Sequence, residues 1–201
     1  MVVVVALGVA LWTELGADDT GYSSPDIVSA RDHRDADTAE ALAGPRARAD
    51  LEPCPGSGAG PGSERLRGIR LECAGNGSEV DVAPTLAGRP AVLNLWAYWC
   101  GPCADELPAM AEYQRRLGSD VTVVTVHQDE NETAALLRLA ELGVHLPTFQ
   151  DGQRKIAAAL RVPNVMPATV LLRADGTVAQ ILPRAFASAD EIAAAVGDDL
   201  R

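Results

Sequence analysis

The chain has 201 residues, 47% of them hydrophobic, which is enough for one core of ordinary size plus a flanking segment and points to one domain. A formal charge of −11, with the arginines scattered among a larger number of acids, offers no basic stripe to neutralise phosphates and counts against a nucleic-acid partner. The acidity bears on solubility more than on chemistry.

Val2 to Trp12 is an unbroken run of apolar residues and glycine, the size of a signal h-region and short of the ~20 residues that span a bilayer. No Lys or Arg precedes it, the first basic residue being Arg31, and neither an Ala-x-Ala site nor a lipid-accepting cysteine follows. Residues 1–16 are read as a signal or membrane-anchor segment. The competing reading is a buried strand of the main domain, for which the following residues supply nothing to pair with. From Ala17 to Pro53 the composition turns to Asp, Ala, Arg and Glu with almost no large aliphatics, so residues 17–53 are expected to be a flexible linker. Asp35–Ala43 has the makings of a short helix, but nothing in its pattern demands a partner face.

Residues 54–201 read as the folded domain. Ile69–Cys73 and Glu79–Val82 alternate around Gly75-Asn76-Gly77, which predicts a hairpin. A buried strand follows at Ala91–Ala97, then a helix over Ala104–Leu117 ended by Gly118, a second buried strand at Val121–Val126, and a helix over Glu132–Leu142 closed by Gly143. The alternation continues with an extended piece at Leu146–Gln150, a helix at Gln153–Leu160, strands at Ala168–Leu172 and Val178–Leu182 around Asp175-Gly176, and a helix at Ala189–Val196. Strands apolar on both sides and alternating with helices imply an α/β sheet covered on both faces. The last two strands, joined by a tight Asp-Gly turn, should be antiparallel.

The four cysteines are of two kinds. Trp99-Cys100-Gly101-Pro102-Cys103 places two thiols two residues apart where a buried strand gives way to a helix. A thiolate at a helix's first turn meets unpaired N–H groups and the positive end of the macrodipole, so Cys100 should ionise readily and exchange electrons with another disulfide through Cys103. Cys54 and Cys73 lack that spacing. Their expected role is a structural bridge worth up to about 3 kcal/mol on loop entropy, with a relay pair as the alternative. Zinc on all four cysteines is disfavoured because only one tight pair exists, and heme attachment fails because Ala104 follows Cys103 where a histidine is required. His33, His127 and His145 show no mutual metal spacing, and His127 is expected to be a satisfied core or rim residue. Trp96 and Trp99 are read as core and rim packing.

Strand, Trp-Cys-Gly-Pro-Cys, helix, and then Val165-Met166-Pro167-Ala168-Thr169 before a closing hairpin resemble the thioredoxin superfamily. The phrase from Leu93 to Pro108 and the extra helix–strand segment around Glu132–Asp151 look more specifically like its TlpA/ResA-like branch of extracytoplasmic thiol-disulfide oxidoreductases. The resemblance implies a thioredoxin-like mixed β-sheet with helices on both faces and an N-terminal hairpin extension. It implies further that Cys100 attacks, Cys103 resolves, and Pro167 is a cis-proline that leaves the backbone of Met166 free to pair with an extended client. Trp99, Gly101, Pro102 and Met166 would contact that client. Glu106, one helical turn after Cys103, would take its proton; a solvated first-turn glutamate is the alternative. Asn94 stands where cytosolic thioredoxins usually carry a buried aspartate, and an amide cannot shuttle a proton.

The implied activity needs no cofactor. The implied partners are protein disulfides or dithiols, apocytochrome c possible among them, and a membrane electron donor such as a CcdA/DsbD-like protein. The location would be extracytoplasmic, anchored or secreted. Gly-Pro between the cysteines is the thioredoxin pair and favours a reductant. The alternatives are an extracytoplasmic oxidant of protein thiols and a non-catalytic thioredoxin-fold binding module.

Overall fold

The computed structural model describes residues 34–197 and 199–200, so Val2–Trp12 lies outside the described residues. In chain order the elements are α1 (Ala39–Ala49), a 3₁₀ turn (Glu64–Leu66), β1 (Arg70–Cys73), β2 (Glu79–Asp81), α2 (Val82–Thr85), β3 (Ala91–Trp96) and α3 (Gly101–Leu117). There follow β4 (Thr122–His127), α4 (Glu132–Leu142), β5 (Thr148–Gln150), α5 (Lys155–Leu160), β6 (Ala168–Leu172), β7 (Val178–Leu182) and α6 (Ala189–Val196).

The strands form one seven-stranded sheet in the order β2-β1-β5-β4-β3-β6-β7. β3, β4 and β5 run parallel at its centre, and β6 and β7 return antiparallel on one side, the last turn passing through Gly176 at φ 82°. The hairpin of β1 and β2 extends the other side by pairing antiparallel with β5. The thioredoxin-like mixed sheet and its hairpin extension are therefore as read from the sequence.

Alternation along β3 divides the core. Val92 and Trp96 face α3, α4 and α6, meeting Leu107, Met110, Leu139 and Ile192. Leu93 and Leu95 face the 3₁₀ turn, α2 and α5, meeting Leu66, Val82, Ile156 and Leu160. With helices on both faces, every residue of β3 is buried, which is why its sequence shows no polar side.

The expected linker is where the fold departs from the sequence reading, for residues 34–53 are held on the domain. Thr38 caps α1, Leu42 and Ala49 are buried, and the helix packs against Leu136 of α4 and Ala74. Arg46 supplies what the missing aliphatics do not: its guanidinium bonds Glu72, Glu132 (2.9 Å) and the Ala74 carbonyl (3.1 Å). Asp37 then accepts from the Glu132 N–H at 3.0 Å and so caps α4, while Glu52 N–H donates to His145 O at 2.7 Å. Polar ties between segments distant in sequence leave no hydrophobic periodicity to find. Among the described residues, no helix is long and apolar enough to cross a membrane.

Candidate active site

β3 ends at Trp96 and delivers Cys100 to the first turn of α3. Cys100 is the N-cap, still extended at φ −82°, ψ 106°, and its Sγ accepts from the Cys103 N–H at 3.3 Å. Pro102 fits the first turn because its missing N–H would have had no intrahelical partner. That is why α3 begins at Gly101, three residues before the start expected from periodicity. Cys100 and Cys103 are disulfide-bonded, their Cα atoms 5.3 Å apart. Cys100 keeps 7% exposure and Cys103 none, so an incoming sulfur reaches Cys100 first. Gly101 and Pro102 are exposed beside it, and a side chain on Gly101 would meet open space. On reduction, the N-terminus of α3 favours the Cys100 thiolate.

Glu106 is wholly buried, on the same helical face as Cys103. Asn94 Nδ2 donates to its Oε2 at 2.6 Å, and the Phe186 N–H donates to its Oε1 at 3.2 Å. Burial dominates and pushes its carboxyl up to about 7, against the pull of both hydrogen bonds and the Arg184 charge. The solvated first-turn alternative does not survive this placement. Asn94, unable to carry a proton itself, holds the group that can.

The Met166–Pro167 peptide bond is cis. Because Ala168 is the register partner of Leu95, the bond lies beside the end of β3 that leads to Cys100, with Met166 packed against the core cluster containing Cys100 and Cys103. Trp99, 58% exposed, is fixed by a 3.0 Å hydrogen bond from its Nε1 to Asp129 Oδ2. Trp99 and Val165 are exposed apolar side chains on the segments that carry Cys100 and Pro167. Arg154 ties the loop after β4 to the loop before Pro167, bonding Gln128 Oε1 at 2.9 Å and Asn164 Oδ1.

The family described as Redoxin matches residues 58–192. The chain belongs to the redoxin family. Within the thioredoxin superfamily its relatives are thiol-disulfide oxidoreductases: ResA of Bacillus subtilis is 31% identical over 108 residues, 53% of this chain and 59% of ResA. Thioredoxin of Rhodospirillum rubrum is 37% identical over 89 residues, 42% of this chain and 78% of that protein. Among solved structures, a secreted Mycobacterium tuberculosis disulfide oxidoreductase homologous to E. coli DsbE is 28% identical. It superposes with a TM-score of 0.57 over 66% of this chain and 96% of its own. The match to ResA thus spans less than two thirds of that protein.

The second cysteine pair of this redoxin is also bonded, Cys54 to Cys73. It sits on β1, and β5 and β4 intervene before β3, a separation of three strand spacings or roughly 14 Å. That separation favours the structural reading of the bridge over direct exchange with Cys100–Cys103. His127 is buried as expected but only half satisfied: its Nδ1 bonds Gln150 Oε1 at 2.8 Å, its ring packs on Trp96, and its Nε2 finds no partner among the described residues. Burial drives its pKa down to about 4. Sequence reasoning missed Asp129, Arg154 and the Phe186 N–H, because each acts through a loop and none belongs to a spacing motif. The Asn94–Glu106 contact did have a signal: Asn94 alternates with Val92 and Trp96, and so faces the helix that carries Glu106.

Proposed function

We propose that this redoxin is an extracytoplasmic thiol-disulfide oxidoreductase that reduces disulfides in exported proteins. The reading is carried by one arrangement: a reachable Cys100 at a helix N-terminus, bonded to a fully buried Cys103 that shares a helical face with the buried Glu106. In the reduced protein the Cys100 thiolate attacks one client sulfur, and the other leaves as a thiolate that takes a proton from water. Glu106 then accepts the Cys103 proton, and the Cys103 thiolate attacks Cys100 Sγ. The first client sulfur leaves with its electron pair and the Cys100–Cys103 bond re-forms. The Met166 backbone and Trp99 hold the client chain, and the Cys54–Cys73 bridge serves stability alone. Support for an extracytoplasmic setting comes from the apolar Val2–Trp12 run, from the second disulfide, and from the secreted M. tuberculosis neighbour. In that setting electrons would come from a membrane thiol donor of the CcdA/DsbD kind, with apocytochrome c among the candidate clients.

Gly101-Pro102 between the cysteines favours a low potential, thioredoxin itself lying near −270 mV. The test is the reduction potential of the Cys100–Cys103 couple, measured with a Cys54→Ser/Cys73→Ser control and paired with insulin reduction. A potential near thioredoxin's, with turnover, is the expected result. A potential well above the glutathione pool would turn the reading into an oxidant, and no turnover by fully reduced protein would leave a binding module.

A further inference from the structure

The catalytic cycle proposed above leaves a proton on a carboxyl with no exposed atom. Glu106 gains it from Cys103 and, unless it hands the same proton back when the pair is re-reduced, exchanges it with water, yet the residue has zero exposure. Its surroundings are asymmetric. Asn94 pairs across β3 with Thr125 on one side and Thr169 on the other, and all three side chains are buried on the face that carries Glu106. On the Thr125 side the row is closed: the Thr125 hydroxyl takes the Trp96 Nε1–H at 3.2 Å and bonds the Thr148 hydroxyl at 2.8 Å. On the Thr169 side it is open. Asn94 Oδ1 and Thr169 Oγ1 are both buried and find no partner among the described residues, and the same holds for Gln180 Oε1 on β7.

These three atoms form a sequence in space. Asn94 is directly opposite Thr169, so their Cβ atoms lie about 5 Å apart. Thr169 is opposite Leu182, which makes Gln180 its diagonal neighbour on the same face, at roughly 7 to 8 Å and within reach of a long side chain. β7 is the edge strand and all five of its residues are half-buried, so the sequence ends at solvent. Buried polar atoms that lack protein partners are normally satisfied by internal water, and two acceptors flanking a hydroxyl suit water donors.

We infer that Asn94, Thr169 and Gln180 hold a hydrated proton path running along the sheet from Glu106 to the β7 edge. It rests on the proposed role of Glu106 as the group that takes the Cys103 proton. The carboxylic proton passes to a water oriented by Asn94 Oδ1. The Thr169 hydroxyl accepts from one water as it donates to the next, and the proton leaves past Gln180 Oε1 to bulk water. No electron moves and the Glu106 carboxylate is restored. The charged groups facing Glu106 from other elements are Arg184, in the loop after β7, and Glu191 of α6; they are paired with each other and leave the path itself uncharged.

The test follows hydrogen–deuterium exchange of the Glu106 acid proton by time-resolved infrared spectroscopy of the full chain at pH 5, the band being assigned by its loss in Glu106→Gln. Thr169→Val should slow exchange at least tenfold, and Thr169→Ser should restore it. Gln180→Met, on the half-buried edge, should also slow it and reads the path independently if the valine variant folds poorly. Exchange in Thr169→Val as fast as in the unaltered protein overturns the path, as does equal slowing by serine and valine, or the lack of an exchangeable Glu106 band. Insulin reduction reports separately on the parent reading: no turnover with exchange behaving as stated sinks the reductase and leaves the path standing.

Discussion

Replacing Glu106 by Gln should change how stability depends on pH. A carboxyl carried from an ordinary 4.5 to about 7 binds its proton more tightly in the folded chain than in the unfolded one. Folding stability from this group is therefore undiminished below pH 4.5, declines as the pH rises through 4.5 to 7, and stays reduced by about 3 kcal/mol above pH 7. The glutamine cannot ionise. It keeps an oxygen for the Phe186 N–H, and rotation of the Asn94 amide would present the otherwise unpartnered Oδ1 to its NH₂ group. Urea unfolding of the oxidised protein and of Glu106→Gln at pH 4 and pH 8 measures the effect; with disulfides intact, a two-state treatment is appropriate. The variant should gain about 3 kcal/mol relative to the parent between the two pH values. Taking the difference between pH values cancels any constant cost of the substitution. A gain that does not vary with pH would mean that Glu106 ionises as a solvated carboxyl, which would remove it as the Cys103 base.

His127 has the opposite sign. Its folded pKa, held down near 4, makes the native state bind fewer protons than the unfolded one between pH 4 and 6.5, so stability is lost as the pH falls through that window. His127→Phe should abolish that acid sensitivity, read as a flatter urea midpoint from pH 6.5 to 4; an unchanged slope would show that another group is responsible. Cys54→Ser/Cys73→Ser opens a loop with a sequence separation of 19 and should cost about 3 kcal/mol in urea unfolding. It should also leave the Cys100–Cys103 potential unmoved, and a moved potential would revive the relay reading. Arg46→Ala removes the tie from α1 to Glu72 and Glu132. Limited trypsin digestion should then cut at Arg48 much faster than in the parent, whereas unchanged protection would mean that Leu42 and Ala49 hold the helix unaided.

What the sequence disclosed follows from what each contact is made of. β6, β7, α4 and α6 begin and end where apolar periodicity, Asp175-Gly176 and the terminal glycines place them, because burial and turn chemistry are written locally. Cys100, Cys103 and Pro167 were visible as motif residues. Glu106 was visible as a position on a helical face, while its burial was not, since that depends on Asn94 and on the Phe186 backbone contributed by a later loop. The hold of α1 on the domain was hidden for a related reason. One guanidinium replaces a hydrophobic stripe, and composition alone reads such a segment as a spacer.

The hold of the α1 segment on the domain has a practical consequence. Arg34 N–H donates to Glu130 O at 3.2 Å, and the adjoining Asp129 is the residue that pins Trp99 beside Cys100. Shortening the front to Leu51 would strip away α1 and uncover Leu136 and Ala74, so any activity measured on that fragment would describe a damaged protein.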